Sequence, residues 1–114
     1  MNEKDEVRLR DMLDAAHDAQ SFLIGRDRQT LDEEKIFAFA LVRAIELIGE
    51  AASRVTEETR SAHPQVPWKS IINMRHRMIH NYRDVDLDIV WETATVYLPT
   101  LIVQLKAILP ADES

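Results

Sequence analysis

The 114-residue sequence contains no cysteine, only two glycines, and no run rich in serine and glycine. Without cysteine the chain can form no disulfide, has no thiol nucleophile and cannot bind a metal through thiolates. Without a flexible run it offers no interdomain linker, and its length suits a single domain comprising residues 1–114. These absences fit a cytoplasmic protein, which is the localisation that we predict.

Long apolar runs are also missing, although apolar residues make up 46% of the chain, enough for a core. The longest candidates are interrupted by Arg43, Glu46 and Glu50, or by Pro99 and Lys106, so none reaches the roughly 20 residues of a membrane helix. The first six residues are polar or charged apart from Met1 and lack the apolar core of a signal peptide. We therefore predict no membrane span, no secretion signal and no membrane partner.

Acidic residues are absent from Thr59 to Arg83, although the whole chain has a net charge of −6. This basic segment holds Arg60, Lys69, Arg75, Arg77, Arg83 and three of the four histidines. All 20 acidic residues therefore lie elsewhere, which leaves that remainder strongly negative. A basic segment in an acidic protein indicates an anion-binding site, with chance clustering as the alternative.

Apolar residues recur at spacings of three and four, and no stretch alternates with the period of a β-strand. The pattern predicts four helical segments, which run from about Lys4 to Ile24, from Thr30 to Arg60, from Trp68 to Asn81–Arg83, and from Asp86 or Asp88 to Pro110. Pro99 should kink the last of them. The predicted fold is all-α, an up-and-down four-helix bundle with a kinked last helix.

The second segment begins with capping-box spacing at Thr30 and Glu33 and carries apolar residues over a wide arc. One seam comprises Phe37, Leu41, Ala44, Ile48, Ala51 and Val55, and an adjacent seam comprises Phe39, Val42, Ile45 and Ala52. Such an arc suits a helix with neighbours on two sides, or one that contacts its own chain and a second subunit. Gly49 costs this helix about 1 kcal/mol relative to alanine, which a close helix–helix crossing would explain.

The residues from Met74 to Tyr82 combine side chains suited to phosphodiester cleavage. Arg75 would hold the scissile phosphate and offset the charge that develops on its oxygens. His80 would act as general base or acid, because histidine exchanges a proton near neutral pH. RNA requires no metal for this reaction, since its own 2′-hydroxyl can be the nucleophile. Tyr82 is a poor base and suits an orienting or modifiable hydroxyl.

A regular helix does not bring the two catalytic candidates together. Five residues separate Arg75 from His80, which places them about 140° apart around an α-helix and roughly 7.5 Å apart along it. Either the helix ends near His80 and the backbone turns it toward Arg75, or two subunits combine their copies in one site.

Other interpretations of these residues stay open. Cations near a helix C-terminus can simply stabilise the helix dipole. His76 and His80 have a spacing that can bind a metal from one helix face, although no acidic residue lies in the basic segment to complete the site. Glu46 and Glu50 can face solvent, paired with Arg43 and Arg54 respectively, or can line the site or an interface.

The pattern Arg-x4-His-x-Tyr, formed by Arg75, His80 and Tyr82, resembles the signature of HEPN-domain proteins of the HepT kind. The resemblance extends in order over residues 36–109. Its supporting segments are Ala44–Ala51, His63–Arg75 and Val85–Trp91. Many members of that family have asparagine directly after the motif arginine, whereas this chain has His76.

The resemblance implies an all-α bundle that forms a symmetric dimer, with the motifs of both subunits facing a shared cleft. It implies a ribonuclease that needs no metal or other cofactor and acts as the toxin of a type II HEPN/MNT toxin–antitoxin pair. The implied partners are RNA and an MNT-type nucleotidyltransferase antitoxin, which can form a larger complex with the dimer and silence it by transferring AMP from ATP to Tyr82.

We accordingly predict Arg75 and His80 as catalytic residues and Tyr82 as the AMP acceptor. The predicted supporting or RNA-binding residues are His76, Arg77, Asn81 and Arg83. Two other functions stay open, a non-catalytic partner of a nucleotidyltransferase that uses Arg75 and Tyr82 for recognition or modification, and a metal-dependent phosphohydrolase that uses His76 and His80.

Overall fold

The computed structural model describes residues 1–81 and 84–111, and within these ranges the chain is mostly helical. Its α-helices are α1 (Glu3–Phe22), α2 (Arg28–Glu33), α3 (Lys35–Ser53), α4 (Glu57–Ala62), α5 (Trp68–Ile72), α6 (Met74–Met78), α7 (Leu87–Glu92) and α8 (Leu98–Ile108). A π-helical turn (Thr93–Tyr97) joins α7 to α8. Two short strands, β1 (Ile79–Asn81) and β2 (Asp84–Val85), lie between α6 and α7. The helical fold class is confirmed, whereas the four-helix count and the symmetric dimer stay predictions.

The core forms where the long helices α1 and α3 pack against each other, with α8 against α1. The first predicted seam is confirmed, because all six of its residues are buried. Five of them lie on α3 and the last lies just after it: Phe37, Leu41, Ala44, Ile48, Ala51 and Val55. The adjacent seam is only partly correct, because Val42, Ile45 and Ala52 are buried but Phe39 is 70% exposed. The apolar arc of α3 is therefore wider than its own chain covers.

The predicted second helix is wrong as a single element, because the chain between residues 28 and 62 forms three helices. Asp27, three residues before the predicted start, caps α2 by accepting a hydrogen bond from the Thr30 amide (3.1 Å), and the Thr30 hydroxyl accepts one from the Asp27 amide. Glu34 then adopts an extended conformation and separates α2 from α3. Thr56 caps α4, because its side-chain oxygen accepts a hydrogen bond from the Thr59 amide (3.3 Å). Local caps thus divide a pattern that periodicity alone reads as continuous.

Asp5 of α1 is buried, and its carboxylate ties the start of α1 to the start of α4. Its Oδ1 accepts a hydrogen bond from the Thr56 amide (3.1 Å), and its Oδ2 accepts bonds from the hydroxyls of Thr56 (2.6 Å) and Thr59. A buried carboxylate is stable only when such donors replace water. This network fixes α4 against α1 across 51 residues of sequence.

The predicted cap at Asp86 is confirmed, since its Oδ1 accepts a hydrogen bond from the Ile89 amide at the start of α7 (3.1 Å). The predicted kink at Pro99 stays a prediction, but the structure has a π-helical turn that ends two residues before this proline. Proline has no amide proton to donate, so a wider turn that shifts the hydrogen-bond register suits this position. None of the helices in the described ranges is long and apolar enough to cross a membrane.

Gly49 lies where α3 and α5 approach each other closely, as the sequence predicts. A Cβ atom at this position would lie 3.1 Å from the backbone oxygen of Ile71 in α5. This distance is shorter than nine in ten real Cβ contacts, and because the atom it meets is backbone, α5 would have to shift by a few tenths of an ångström. Glycine therefore allows α5, and α6 directly after it, to lie against the middle of α3.

We expect Asp5→Asn to lower the free energy of unfolding by about 1.5–3 kcal/mol at pH 7, because the buried donors lose a charged acceptor. Burial by itself raises the pKa of the Asp5 carboxyl, but the hydrogen bonds from Thr56 and Thr59 outweigh it and hold the pKa below its ordinary value of 3.8. A pKa lowered by folding gives stability that is complete above the unfolded value and is lost as the pH falls through the folded value.

The difference in the free energy of unfolding between the natural chain and Asp5→Asn should therefore become smaller as the pH falls below 3.8. Urea denaturation at a series of pH values measures it, with Asp14→Asn on the exposed face of α1 as the matched control. That control should change the unfolding free energy by less than about 0.5 kcal/mol. An Asp5→Asn deficit that stays constant through the acid range contradicts the role of the ionised carboxylate.

We expect Gly49→Ala to destabilise the protein by about 1 kcal/mol, because the clash with the Ile71 carbonyl exceeds the gain in helix propensity. Ser53→Ala, on the exposed side of the same helix, is the control and should stay within about 0.5 kcal/mol of the natural chain. Thermal and urea denaturation measure both variants. A more stable Gly49→Ala variant would show that α5 yields to the added methyl group.

Candidate functional site

The predicted third helix is wrong in two places, and both changes affect the site. Asn73 interrupts the segment with a backbone conformation between helix and turn (φ −88°, ψ 0°), and α6 ends at Met78 rather than near residues 81–83. Ile79 is already extended (φ −116°, ψ 107°). The candidate catalytic residues therefore lie on different elements, with Arg75 on α6 and His80 on β1.

The end of α6 is held by a contact with the far side of the short β-ribbon. The Met78 carbonyl accepts a hydrogen bond from the Asp86 amide (2.7 Å), so it is occupied where a continuing helix would use it internally. Met78 itself is fully buried. Strands β1 and β2 pair antiparallel, with Ile79 opposite Val85 and an irregular register beyond that pair. This contact and the pairing of the strands explain why a helical pattern gives way to extended backbone.

His80 is consequently released from the helical geometry that separates it from Arg75. Of the two geometrical solutions inferred from the sequence, the helix end before His80 is present within one chain. Both side chains are exposed. No hydrogen bond or ion pair joins Arg75 to His80 in the described part of the chain, so their joint action stays a prediction.

Arg75 is anchored from α3 by a side chain that lies 29 residues earlier. Its Nε donates a hydrogen bond to Glu46 Oε2 at 2.9 Å. The side chain of Glu46 is only 18% exposed, whereas that of Arg75 is 60% exposed. The pair thus has one mostly buried end and one end open to solvent.

The local pairing predicted for the two glutamates of α3 is wrong. Glu46 contacts Arg75 rather than Arg43, and Glu50 forms its ion pair with Arg43 (3.1 Å) rather than with Arg54. Glu46 therefore contacts a predicted site residue, and the alternative that it lines the site stays a prediction, while Glu50 lies in an exposed pair on the helix surface. Helices α5 and α6 pack against α3 on the side of Glu46. This packing favours its contact with Arg75 over one with Arg43 of the same helix.

The other basic residues of α6, His76 and Arg77, are exposed. Arg77 lies close enough to Tyr97, in the π-helical turn, to affect its ionisation. The Tyr97 hydroxyl donates a hydrogen bond to Glu92 (2.8 Å), which raises the pKa of the phenol, and the charge of Arg77 opposes this in part. The basic segment has no acid in sequence, but in space Glu46 and Glu92 border it.

The remaining predicted site residues are Asn81, Tyr82 and Arg83. Asn81 is exposed at the end of β1, and its Oδ1 accepts a hydrogen bond from the Asp84 amide (3.1 Å). Tyr82 and Arg83 lie outside the described residues. Across residues 1–81 and 84–111, no three side chains of the His, Asp or Glu type converge in an arrangement that could hold a metal ion.

Comparison with known proteins identifies close relatives over most of the chain. The sequence profile "Ribonuclease HepT-like" matches residues 12–108. "Putative RNase TTE0752" of Caldanaerobacter subterraneus is 40% identical over 81 residues, which cover 71% of this chain and 72% of that protein. "Putative RNase MJ0125" of Methanocaldococcus jannaschii is 33% identical over 82% of this chain and 80% of its own.

A shorter match of 37% identity links the chain to "Probable ribonuclease HepT" of Thermococcus cleftensis, over 60% of this chain and 62% of that protein. No solved structure matches. The matched region contains α3, α6 and β1, and therefore every described residue of the candidate site. The chain belongs to the HepT-like ribonuclease family.

Proposed function

We propose that the protein is a metal-independent endoribonuclease, the toxin of a type II HEPN/MNT toxin–antitoxin pair, with Arg75 and His80 as its catalytic residues. The observation that supports this most is the exposed Arg75, anchored through Nε to Glu46 and followed by a helix end that frees His80. This arrangement occurs in a chain of a ribonuclease family and in its most basic segment.

The chemistry follows from the two side chains and from RNA itself. His80, as general base, removes the proton from a 2′-hydroxyl, whose oxygen attacks the adjacent phosphorus while the bond to the 5′-oxygen breaks. A protonated histidine returns a proton to that leaving oxygen, so the products are a 2′,3′-cyclic phosphate and a 5′-hydroxyl. Arg75 offsets the negative charge on the phosphoryl oxygens.

A dimer would supply the second histidine for this scheme. The exposed apolar side chains on α3, which include Ile36 (86% exposed), Phe39 (70%) and Leu47 (41%), support such an assembly. They lie on the helix that also carries Glu46. A second subunit on this face would cover the arc that the chain itself leaves open and would bring two copies of the site close together.

Supporting residues contribute attraction to the RNA backbone rather than chemistry. His76 and Arg77 are exposed on α6 beside Arg75, and Asn81 follows His80 on β1. The charge of Arg77 attracts phosphates without reading sequence, so binding should weaken as salt rises, whereas His76 and Asn81 can contribute hydrogen bonds. We assign the same role as that of Arg77 to Arg83.

The partner that silences the nuclease is, in this proposal, an MNT-type nucleotidyltransferase. It transfers AMP from ATP to the hydroxyl of Tyr82, with formation of a phosphodiester bond and release of pyrophosphate. The added phosphate places a negative charge two residues from His80, where it competes with RNA for the basic residues.

A second candidate function is a non-catalytic partner of such a nucleotidyltransferase. Two features of the chain favour it, the net charge of −6 and His76 directly after Arg75, where the HEPN resemblance leads us to expect asparagine. In that case Arg75 and Tyr82 serve recognition or modification. Cleavage assays separate the two functions, because only the first predicts RNA products.

We expect the purified protein to cleave single-stranded RNA in the presence of EDTA, with loss of about 10²–10⁴-fold in rate for His80→Ala and for Arg75→Ala. His17→Ala, an exposed histidine on α1, and Arg54→Ala, an exposed arginine, are the matched controls and should keep the natural rate. Gel analysis of end-labelled RNA measures the rates and identifies the product ends. Undiminished cleavage by His80→Ala would remove the catalytic assignment, and cleavage that EDTA abolishes would favour metal-dependent chemistry.

We expect an MNT-type nucleotidyltransferase with labelled ATP to add one AMP to the natural chain and to stop cleavage. The chain has only two tyrosines, so Tyr82→Phe and Tyr97→Phe form a matched pair. Mass spectrometry should find AMP on Tyr97→Phe and none on Tyr82→Phe. Label retained in Tyr82→Phe would show that another hydroxyl is the acceptor.

A further inference from the structure

We infer that Glu46 is a positioning residue for the active-site arginine, an inference that rests on the proposed function. Through its carboxylate, α3 holds the guanidinium of Arg75 by the Nε edge and leaves the two terminal nitrogens free for a phosphate of the RNA. Glu46 itself need not contact substrate. Its role is to set the plane and direction of a group that does.

The geometry of a guanidinium gives this contact its effect. The group is planar with five N–H donors in a fixed fork, so one short hydrogen bond at Nε (2.9 Å) restrains the orientation of the whole plane. Arg75 is 60% exposed, and no protein hydrogen bond of its terminal nitrogens occurs within the described residues. The phosphate-binding edge is thus presented to solvent in a restrained orientation.

The restraint reduces the cost of aligning the guanidinium for catalysis. A free arginine side chain on a surface loses rotamer entropy when it is immobilised. An arginine that is already held at Nε has lost part of that freedom on folding, so less is lost when the guanidinium is aligned with the phosphoryl oxygens in the transition state. The side chain of Glu46 is 18% exposed and that of Arg75 is 60% exposed, so the carboxylate is more confined by its neighbours than the guanidinium that it holds.

The packing of α3 against α5 produces this contact. Gly49 lies one turn beyond Glu46 and permits the approach of the Ile71 carbonyl to 3.1 Å from the position of a Cβ atom. Asn73 then starts α6, which carries Arg75 toward the same stretch of α3. The ion pair is therefore a consequence of a tight backbone crossing rather than a chance meeting of two flexible side chains.

Glu50 shows what an ordinary surface carboxylate on this helix does. It lies one turn from Glu46, is 55% exposed and pairs with Arg43 of the same helix, itself 57% exposed. Such pairs contribute little to stability and hold nothing in place. Because the two glutamates share helix, charge and size, Glu50 is the matched control for Glu46.

Glu46 affects the interaction of Arg75 with phosphate through its charge and through its hydrogen bond, and these two effects have opposite signs. Substitutions that remove one or both of them can therefore distinguish positioning from charge. Its negative charge weakens the attraction of Arg75 for phosphate, while its hydrogen bond orients the guanidinium. Glutamine keeps an acceptor oxygen of the same reach and removes the charge. Alanine removes both.

We therefore expect Glu46→Ala to lower kcat for RNA cleavage by about 10–100-fold, as misplacement of a catalytic group does, with a much smaller change in KM. Glu46→Gln should recover most of that loss, to within several-fold of the natural kcat. Glu50→Ala should keep the natural kcat and KM. Circular dichroism and unfolding midpoints establish that each variant is folded.

A natural kcat in Glu46→Ala would overturn the inference, and so would a loss in Glu46→Ala that Glu46→Gln does not reduce. The first result would show that the contact between Glu46 and Arg75 does not contribute to cleavage. The second would show that the acceptor oxygen is not what matters.

A measurement that does not depend on cleavage distinguishes failure of this inference from failure of the proposed function. In ¹⁵N NMR spectra, the Nε–H signal of Arg75, assigned with Arg75→Lys, should exchange slowly with water in the natural protein and in Glu50→Ala. It should exchange fast in Glu46→Ala. If the natural protein cleaves no RNA, the proposed function fails, and equal exchange in all three proteins would separately overturn the anchoring of Arg75.

Discussion

The close crossing of α3 and α5 at Gly49 is the constraint on which the candidate site depends. With the Ile71 carbonyl only 3.1 Å from where a side chain would begin, no other residue type fits there without moving α5. Since α6 follows α5 after a single residue, the position of α5 also determines the position of Arg75. The partly buried Glu46 then meets an arginine from a different helix. The ion pair between Glu46 and Arg75 thus depends on the close packing of the α3 and α5 backbones.

Much of the fold follows from periodicity and caps, and the exceptions have a common cause. The buried seam of α3, the cap at Asp86 and the close approach at Gly49 are all predictable, because each depends on residue type and local spacing. The end of α6 at Met78 is not, since no glycine or proline marks it. It depends on the Asp86 amide, which reaches the Met78 carbonyl from the other side of the β-ribbon. Elements that end through a tertiary hydrogen bond leave no local signal.

The candidate site divides in the same way. The spacing of Arg75 and His80 predicts their catalytic role, which stays a prediction, and the family of the chain is shown by comparison with relatives. The partner of Arg75 was open on sequence alone, because rules for pairs on one helix favour Arg43 as the partner of Glu46. A contact across 29 residues overrides those rules once α5 and α6 cover that side of α3. Phe39 shows the converse, an apolar residue in a regular seam that the chain leaves uncovered.

The long sequence separation between Glu46 and Arg75 also bears on when the site becomes complete. During synthesis the motif residues emerge after α3, and Arg75 acquires its anchor only when the crossing at Gly49 has formed. Contacts between distant residues form late in folding because the loop between them must first be closed. A chain that has not finished folding therefore carries the predicted catalytic residues without their alignment. For the ribonuclease proposed above, this order of events ties the onset of activity to the completion of the fold.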